Sequence, residues 1–432
     1  MWSEKAISEN LKKKSWTGLQ ERRGWGLGAR RFFVICSYLS MNATEWRSEM
    51  GKKLFVIVMT VFVIVSLAAV GAAADGIDKN KKMIKLSGFD SVTGKYGDYG
   101  TGNKRGQEVA IEEINSKGGI AAGPLKGYKL SLAFEDDRGD PKEAANIAKK
   151  LSSGDYLAVL GPTMSSCALA ATPVFNRNGI PNIITYAQAI TITEQGFNNI
   201  ARLTYTTKGV AIHMAEKVKD PFKKKTVSII SENQDYGQQL LKTFKEKAKE
   251  LGIEVLTESV VVPGQDVDFK SVLLQAKAKN PDMLLIFLCY NEGGLLLKQC
   301  RQMGWNVPIY GPNSLTEAKF FELAGDLGEF HIVLSPTMDV NRPDAKNLLT
   351  LWNKKYEGLP PMAAIYGYDA VTVARAVIEA GGVDRKSFVK KLKEVKVNGI
   401  GTPVYEFDQT GEVKRPALIT ITGAQFVKEN LK

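Results

Sequence analysis

Residues 160–175, LGPTMSSCALAATPVF, place two serines and a cysteine directly after a Gly-Pro turn. The apolar run ending at Leu160 reads as a strand, and the alanine-rich run after Ser166 reads as a helix. Such a turn gathers hydroxyls and free backbone N–H groups at one spot. A serine nucleophile there needs a base, and the chain has only two histidines, His213 and His331. His213 lies in a helical stretch (VAIHMAEKV) and His331 in an apolar strand (FHIVL), so both read as structural. Ser165 is not in the G-x-S-x-G order of a nucleophile elbow. Cys167 has no evident activating partner, and no His/Cys/Asp/Glu cluster has metal spacing. The run GTGNKRG (Gly100–Gly106) has one residue too many for a dinucleotide fingerprint and does not leave a strand directly. No cofactor is expected. Two readings of Ser165 and Ser166 remain. They hold a carboxylate or another acceptor at the helix start, or they cap their own helix.

Other loops bear on that choice. The strand-like PNIIT leads into Tyr186-Ala187-Gln188-Ala189, where Ala187 and Ala189 are small enough to let backbone groups approach a ligand. DMLLIFLCY ends at Tyr290, and VPIYGP leads to Asn313 and Ser314. Tyr96 and Tyr236 follow the first strand of each of two similar runs. Each tyrosine alone reads as packing. Together, aromatic and hydrogen-bonding side chains at matching strand ends describe a cleft wall.

The elements that must carry these loops alternate strand and helix from Lys82 onward. NKRGQEVAIEEINSKGG is helical with a Gly118-Gly119 stop. GDPKEAANIAKKLSSG opens with Asp140 as N-cap and Pro141 at the first helical position. The rhythm restarts at KTVSIIS and runs through DYGQQLLKTFKEKAKELG, IEVLTESVV and DMLLIFLCY. This alternation predicts an α/β chain of two Rossmann-like lobes with parallel sheets. Ligands of such sheets sit outside the strands' carboxyl ends. The end, TPVYEFDQTGEVKRPALITITGAQF, reads as a hairpin-like β segment around Asp408–Gly411.

Residues 50–74 have two lysines, an apolar run and a small-residue end, the pattern of a secretory signal cleaved before Asp75, with an uncleaved membrane anchor as the competing reading. Residues 1–49, a basic stretch with four of the six tryptophans, read as a misassigned start or a disordered leader. Those 49 residues hold nine Lys/Arg against five Asp/Glu, and the signal adds two lysines, leaving +6 of the formal +12 on the mature chain. Lysines interleaved with glutamates, as in FKEKAKE, make a solvated surface and not a nucleic-acid stripe. Cys167, Cys289 and Cys300 form no disulfide framework.

With these motifs in hand, the chain resembles the periplasmic leucine/isoleucine/valine-binding proteins, the type I periplasmic binding receptors of branched-chain amino acid ABC transporters. The likeness spans nearly all of 82–432 and is carried by GKYGDYGTGNKRGQEVAIEEINSKGGI, EDDRGDPKEAANIAKKL, LGPTMSSCALAATPVF, ENQDYGQQL, DFKSVLLQAK, YGYDAV and FDQTGEVKRP. The resemblance implies two hinge-linked lobes, 79–203 with 337–400 and 204–336 with 401–432, closing over one ligand. It implies a periplasmic, non-enzymatic receptor that delivers a small amino acid or related acid or amide to a membrane permease. In amino-acid-binding members the loop matching Ser165-Ser166 holds the carboxylate, and the pair matching Ala187 and Ala189 helps bind both charged ends. A tyrosine matching Tyr290 and a glutamate meet the ammonium. That glutamate aligns with Asn313, and the usual threonine hydroxyl aligns with Ala189. Glu292 or Glu317 is left as a substitute acid. A cysteine pair found in some members corresponds to Gly139 and Met164, so that bridge is not expected. The alternatives are a receptor for an aromatic or aliphatic carboxylate or amide without an α-ammonium and, from another class, a hydrolase using Ser165.

Overall fold

The computed structural model describes residues 75–335, 342–414 and 417–430. The signal and leader readings of 1–74 lie outside them. Two mostly parallel sheets form the frame. The first holds β1 (Ile77–Asp78), β2 (Met83–Asp90), β3 (Lys129–Asp136), β4 (Val159–Leu160), β5 (Asn182–Ile184) and β6 (Ile200–Arg202), with β2 between β3 and β4. The second holds β7 (Thr226–Glu232), β8 (Glu254–Val261), β9 (Met283–Phe287), β10 (Ile309–Gly311) and β11 (Phe330–Leu334), with β7 between β8 and β9. Central strands such as β9 (MLLIF) are buried throughout, as strands covered on both faces must be. The edge strand β8 (EVLTESVV) alternates and leaves Val260 51% exposed.

In each lobe the order reverses at the first strand, so the switch points are β2/β4 and β7/β9, and a crevice opens there. The chain passes between the sheets repeatedly. After β11 it returns to the first lobe, where helix Met362–Glu379 packs along helix Gly97–Ser116. It then crosses back so that β12 (Ile419–Thr422) pairs antiparallel with β11.

Helix Gly97–Ser116 starts six residues before the periodic stretch that announces it. Glycines at 97, 100 and 102 argue against helix by propensity. Packing overrides that, because a Cβ at Gly100 would sit 2.0 Å from the Ser91 carbonyl oxygen. Asp140 caps its helix as expected, accepting from Lys142 N at 2.7 Å and Glu143 N at 3.0 Å. The C-terminal segment turns back as a hairpin around Asp408–Gly411, where Phe407 bridges Val413 antiparallel, Asp408 N donates to Glu412 O at 2.9 Å and Lys414 N donates to Glu406 O at 3.0 Å. It departs from the β reading only at its end. From Gly423 the chain is helical, which stacks Phe426 on Phe321 at 5.1 Å.

Candidate functional site

The Gly-Pro turn sits at the β2/β4 switch point. Gly161 has φ +109°, and a Cβ there would lie 2.4 Å from the Phe89 carbonyl oxygen, so only glycine fits. Ser165 opens helix Ser165–Arg177 behind Met164, and no side chain caps that helix. The Ser165 hydroxyl instead reaches sideways. Its Oγ accepts from Gln188 N at 3.2 Å and Ala189 N at 3.1 Å. This removes the capping reading and leaves the Ser165 hydrogen free to donate.

Across from the turn the second lobe presents its own strand ends, and a small cavity of about 30 Å³ lies between them. Tyr99, Thr163, Met164, Ser165, Tyr186 and Gln188 line it from the first lobe. Tyr236, Cys289, Asn313 and Ser314 line it from the second. Three side chains on its wall, all at least nine-tenths buried, carry polar atoms without partners among the described residues: Gln188 Oε1, Asn313 Oδ1 and the Tyr236 hydroxyl. Buried groups of this kind need a partner.

The lobes meet directly around the cavity. Asn313 Nδ2 donates to the Tyr186 hydroxyl at 2.7 Å, and the Tyr99 hydroxyl donates to the Ser314 carbonyl. Lys95 crosses on the other flank. Its carbonyl accepts from Tyr290 Oη at 3.2 Å and Asn291 Nδ2 at 2.6 Å, and its Nζ donates to Pro263 O at 3.0 Å. Tyr99 lies edge-on to Tyr290 at 4.8 Å, and Tyr186 stacks on Tyr366 at 5.3 Å. Burial pushes all of these phenols up, so they stay protonated donors.

Acids stand just outside the cavity. Burial, with Asp98 nearby, pushes Glu317 up to about 8, and its charge is felt at Tyr99, Tyr186 and Tyr290. Burial and the neighbouring Glu292 push Glu232 up to about 8. Glu292 accepts from Gly264 N at 2.9 Å and keeps Oε2 unpartnered.

Of the eight residues singled out in the sequence, Ser165, Tyr236 and Asn313 line the cavity. Ser166 is half-buried and faces an outer recess beside Lys95 and Gln234. Ala187 and Ala189 are fully buried in an apolar cluster with Ile184 and Ile192. The Ala189 backbone is tied on both sides, the N–H donating to Ser165 Oγ at 3.1 Å and the carbonyl accepting from Arg202 Nη1 at 2.6 Å. Tyr96 is buried near Glu232 and Glu292 with its hydroxyl unpartnered, and Tyr290 bridges the lobes. Tyr99, Thr163, Gln188, Cys289 and Ser314 were not singled out for the site. Tyr99 is one turn beyond Tyr96, and Gln188 sits between the two alanines, so neighbouring positions carried the signal.

His213 bonds Thr420 Oγ1 at 2.8 Å, and burial pushes it down to about 4. His331 lies tilted against the Phe222 ring, the centroids 4.2 Å apart. Neither hydrogen-bonds Ser165. Cys167, Cys289 and Cys300 are free and buried. Among the described residues no group of three or more His, Cys, Asp or Glu could hold a metal ion, and no helix is long and apolar enough to cross a membrane.

Two α/β lobes meeting at paired switch points over a small cavity have the architecture of cleft-binding receptors. A family model for periplasmic binding proteins matches residues 83–422, and the chain belongs to that family. It is 29% identical over 325 residues to the Leu/Ile/Val-binding protein BraC3 of Rhizobium johnstonii, covering 74% of this chain and 86% of that one. It is 27% identical over 352 residues to the leucine-, isoleucine-, valine-, threonine- and alanine-binding protein of Pseudomonas aeruginosa, covering 81% and 91%. Two solved structures share the fold. One is the branched-chain amino acid transporter substrate binding protein LivJ of Streptococcus pneumoniae in complex with isoleucine (TM-score 0.71, 24% identity, 79% of this chain and 99% of that chain). The other is an ABC transporter solute binding protein of R. palustris in complex with benzoate (TM-score 0.70, 20% identity, 78% and 92%).

Proposed function

We propose that this protein is the extracytoplasmic solute-binding component of a branched-chain amino acid type ABC transporter, binding a small amino acid or related ligand between its lobes and delivering it to the permease. The carrying observation is the cavity itself, walled by both lobes, with the free Ser165 hydroxyl and a helix start on one side. A ligand carboxylate placed there meets the Ser165 hydroxyl and the first N–H groups of helix Ser165–Arg177. Ser166, Ala187, Ala189, Tyr96 and Tyr290 act around this core, through backbone groups or by shaping the cleft. The lobes are 79–203 with 337–400 and 204–336 with 401–432, and the mature chain is periplasmic from Asp75. The protein acts as a receptor and not as an enzyme, since neither histidine is placed to take a proton from Ser165, His213 bonding Thr420 and His331 bonding Glu329.

An α-ammonium finds its counter-charge in Glu317. That carboxyl is 97% buried, has an unpartnered oxygen and forms no ion pair among the described residues. Asn313 favours a second reading, a carboxylate or amide without an α-ammonium, because an asparagine matches a neutral group better than a cation. A thermal-shift screen of Asp75–Lys432 with leucine, isoleucine, valine, benzoate and benzamide separates the two. A ligand at about 100 times its dissociation constant adds roughly 2.7 kcal/mol. If an amino acid binds, its ammonium ionises Glu317, and calorimetry at pH 7 in buffers of different ionisation heats reads a released proton. Benzoate binding releases none, and Asn313→Glu then moves preference toward amino acids. Turnover of activated esters, or no shift with any of these ligands, sinks both readings.

A further inference from the structure

A buried carboxylate holds the turn that carries Ser165. Asp90 ends β2 with 0% exposure, and its two oxygens take four donors. These are Ser91 N at 2.9 Å, Asn103 Nδ2 at 2.7 Å, Thr163 N at 3.0 Å and Thr163 Oγ1 at 2.7 Å. Asn103 is fixed in turn. Gln107 Nε2 donates to its Oδ1 at 3.0 Å, and a Cβ at Gly367 would come within 2.8 Å of that oxygen. Asp137 backs the arrangement from the end of β3. Its N–H donates to the Asp90 carbonyl at 3.0 Å, and its Oδ1 accepts from Gly139 N at 2.8 Å. Its carboxyl lies against the Cys167 thiol, in the first turn of the Ser165 helix, and Oδ2 has no partner of good geometry. Two buried acids therefore grip the ligand-side turn from both ends, at Thr163 and at Cys167.

We propose that Asp90, backed by Asp137, is the positioning residue of the Thr163–Ser165 turn, and that the turn loosens when Asp90 takes up a proton. The proposal rests on the reading of Ser165 as a ligand donor. A carboxylate has about four acceptor sites, and here all are filled. Protonation removes an acceptor site and adds a donor, so one of the four donors is stranded where water does not reach. The pair is poised for this. Burial pushes Asp90 up to about 6, and burial together with the Asp90 charge pushes Asp137 up to about 7. The other groups facing the pair are Asp136 beside it, the Cys167 thiol of the Ser165 helix and the Tyr96 ring packed on Gly139. Helix Gly97–Ser116 contributes the neutral amides of Asn103 and Gln107. The signs oppose each other. Raised carboxyl values mean that folding stability falls as pH rises through about 6 to 7, whereas order in the turn rises over the same window.

The test follows amide hydrogen exchange at 163–167, corrected for intrinsic rates, at pH 5 and pH 8 in the whole protein. L-leucine affinity is measured by calorimetry under the same conditions. In the wild type, protection and affinity should both fall about tenfold at pH 5, the scale of one lost hydrogen bond to a charged group. Asp90→Asn should bring the low-pH behaviour to pH 8 and flatten the pH profile. Thr163→Val removes a single bond and keeps the fold, so it should give a partial loss and a retained profile. Unchanged exchange at 163–167 in both variants overturns the proposal, as does an affinity that rises toward pH 5. A wild type that ignores leucine but shows the exchange pattern supports the proposal and overturns the leucine reading instead.

Discussion

At the residue scale, Ser165 ties its helix to the Gln188 loop. The sequence allows it to be a cap whose loss costs about 1 kcal/mol. The structure makes it the acceptor for two buried N–H groups of the Gln188 loop, so its removal strands both. Ser165→Ala should therefore lower stability by roughly 2–4 kcal/mol and weaken ligand binding as well. Ser165→Thr keeps the oxygen and adds a methyl toward the cavity. It should hold the melting temperature close to that of the wild type while weakening binding more than tenfold. Thermal melts and calorimetry on the pair decide this, and a Thr variant with wild-type affinity would remove Ser165 from the ligand's path. The turn itself was legible from Gly161-Pro162 and the serines. Asp90, the group that holds it, was not, because nothing local marks which aspartate at a strand end turns inward.

At the element scale, the first lobe depends on two helices that touch at small residues. A Cβ on Gly106 would lie 1.9 Å from the Ala364 carbonyl oxygen, and one on Gly367 would lie 2.3 Å from that of Asn103. Helix propensity alone says Gly106→Ala should stabilise by about 1 kcal/mol. Packing says the helices must separate, at a cost of roughly 1–3 kcal/mol. Denaturant unfolding of Gly106→Ala should show a net loss, and a gain would mean that helix propensity outweighs this contact. The same contact explains why the start of this helix was invisible in the sequence. Its glycines look like loop until the partner helix, more than 250 residues away in the chain, is in place.

At the scale of the whole molecule, the cleft concentrates buried acids whose folded values are raised: Glu232, Glu317, Asp137 and Asp90. Their contribution is fully present below the unfolded carboxyl range and is lost as pH rises through about 6 to 8. Surface acids such as Asp155, Asp282 and Asp384 are lowered by hydrogen bonds and give the opposite trend below about pH 4. The ligand-free protein should therefore be most stable between about pH 4.5 and 6, and its melting temperature should drop steadily toward pH 8.5. Scanning calorimetry across that range tests it, and a flat profile would mean that these carboxyls are better solvated than their burial implies.

The sequence by itself determined the alternation of strands and helices, the Gly-Pro turn with its serines, and the set of loops at the strands' carboxyl ends. All of these are written in short-range periodicity and turn chemistry. The tertiary structure decided which side chains in those loops face the cavity. Tyr96 and Tyr99 are three residues apart, yet only Tyr99 lines it, while Tyr96 turns toward Glu232 and Glu292. Gln188 faces in between two alanines that face away. Glu317 lends its field to the tyrosines around the cavity, while Glu292 is tied to Gly264. Facing depends on helix phase, on strand register and on how the two lobes close, and each is set by contacts between residues far apart in the chain.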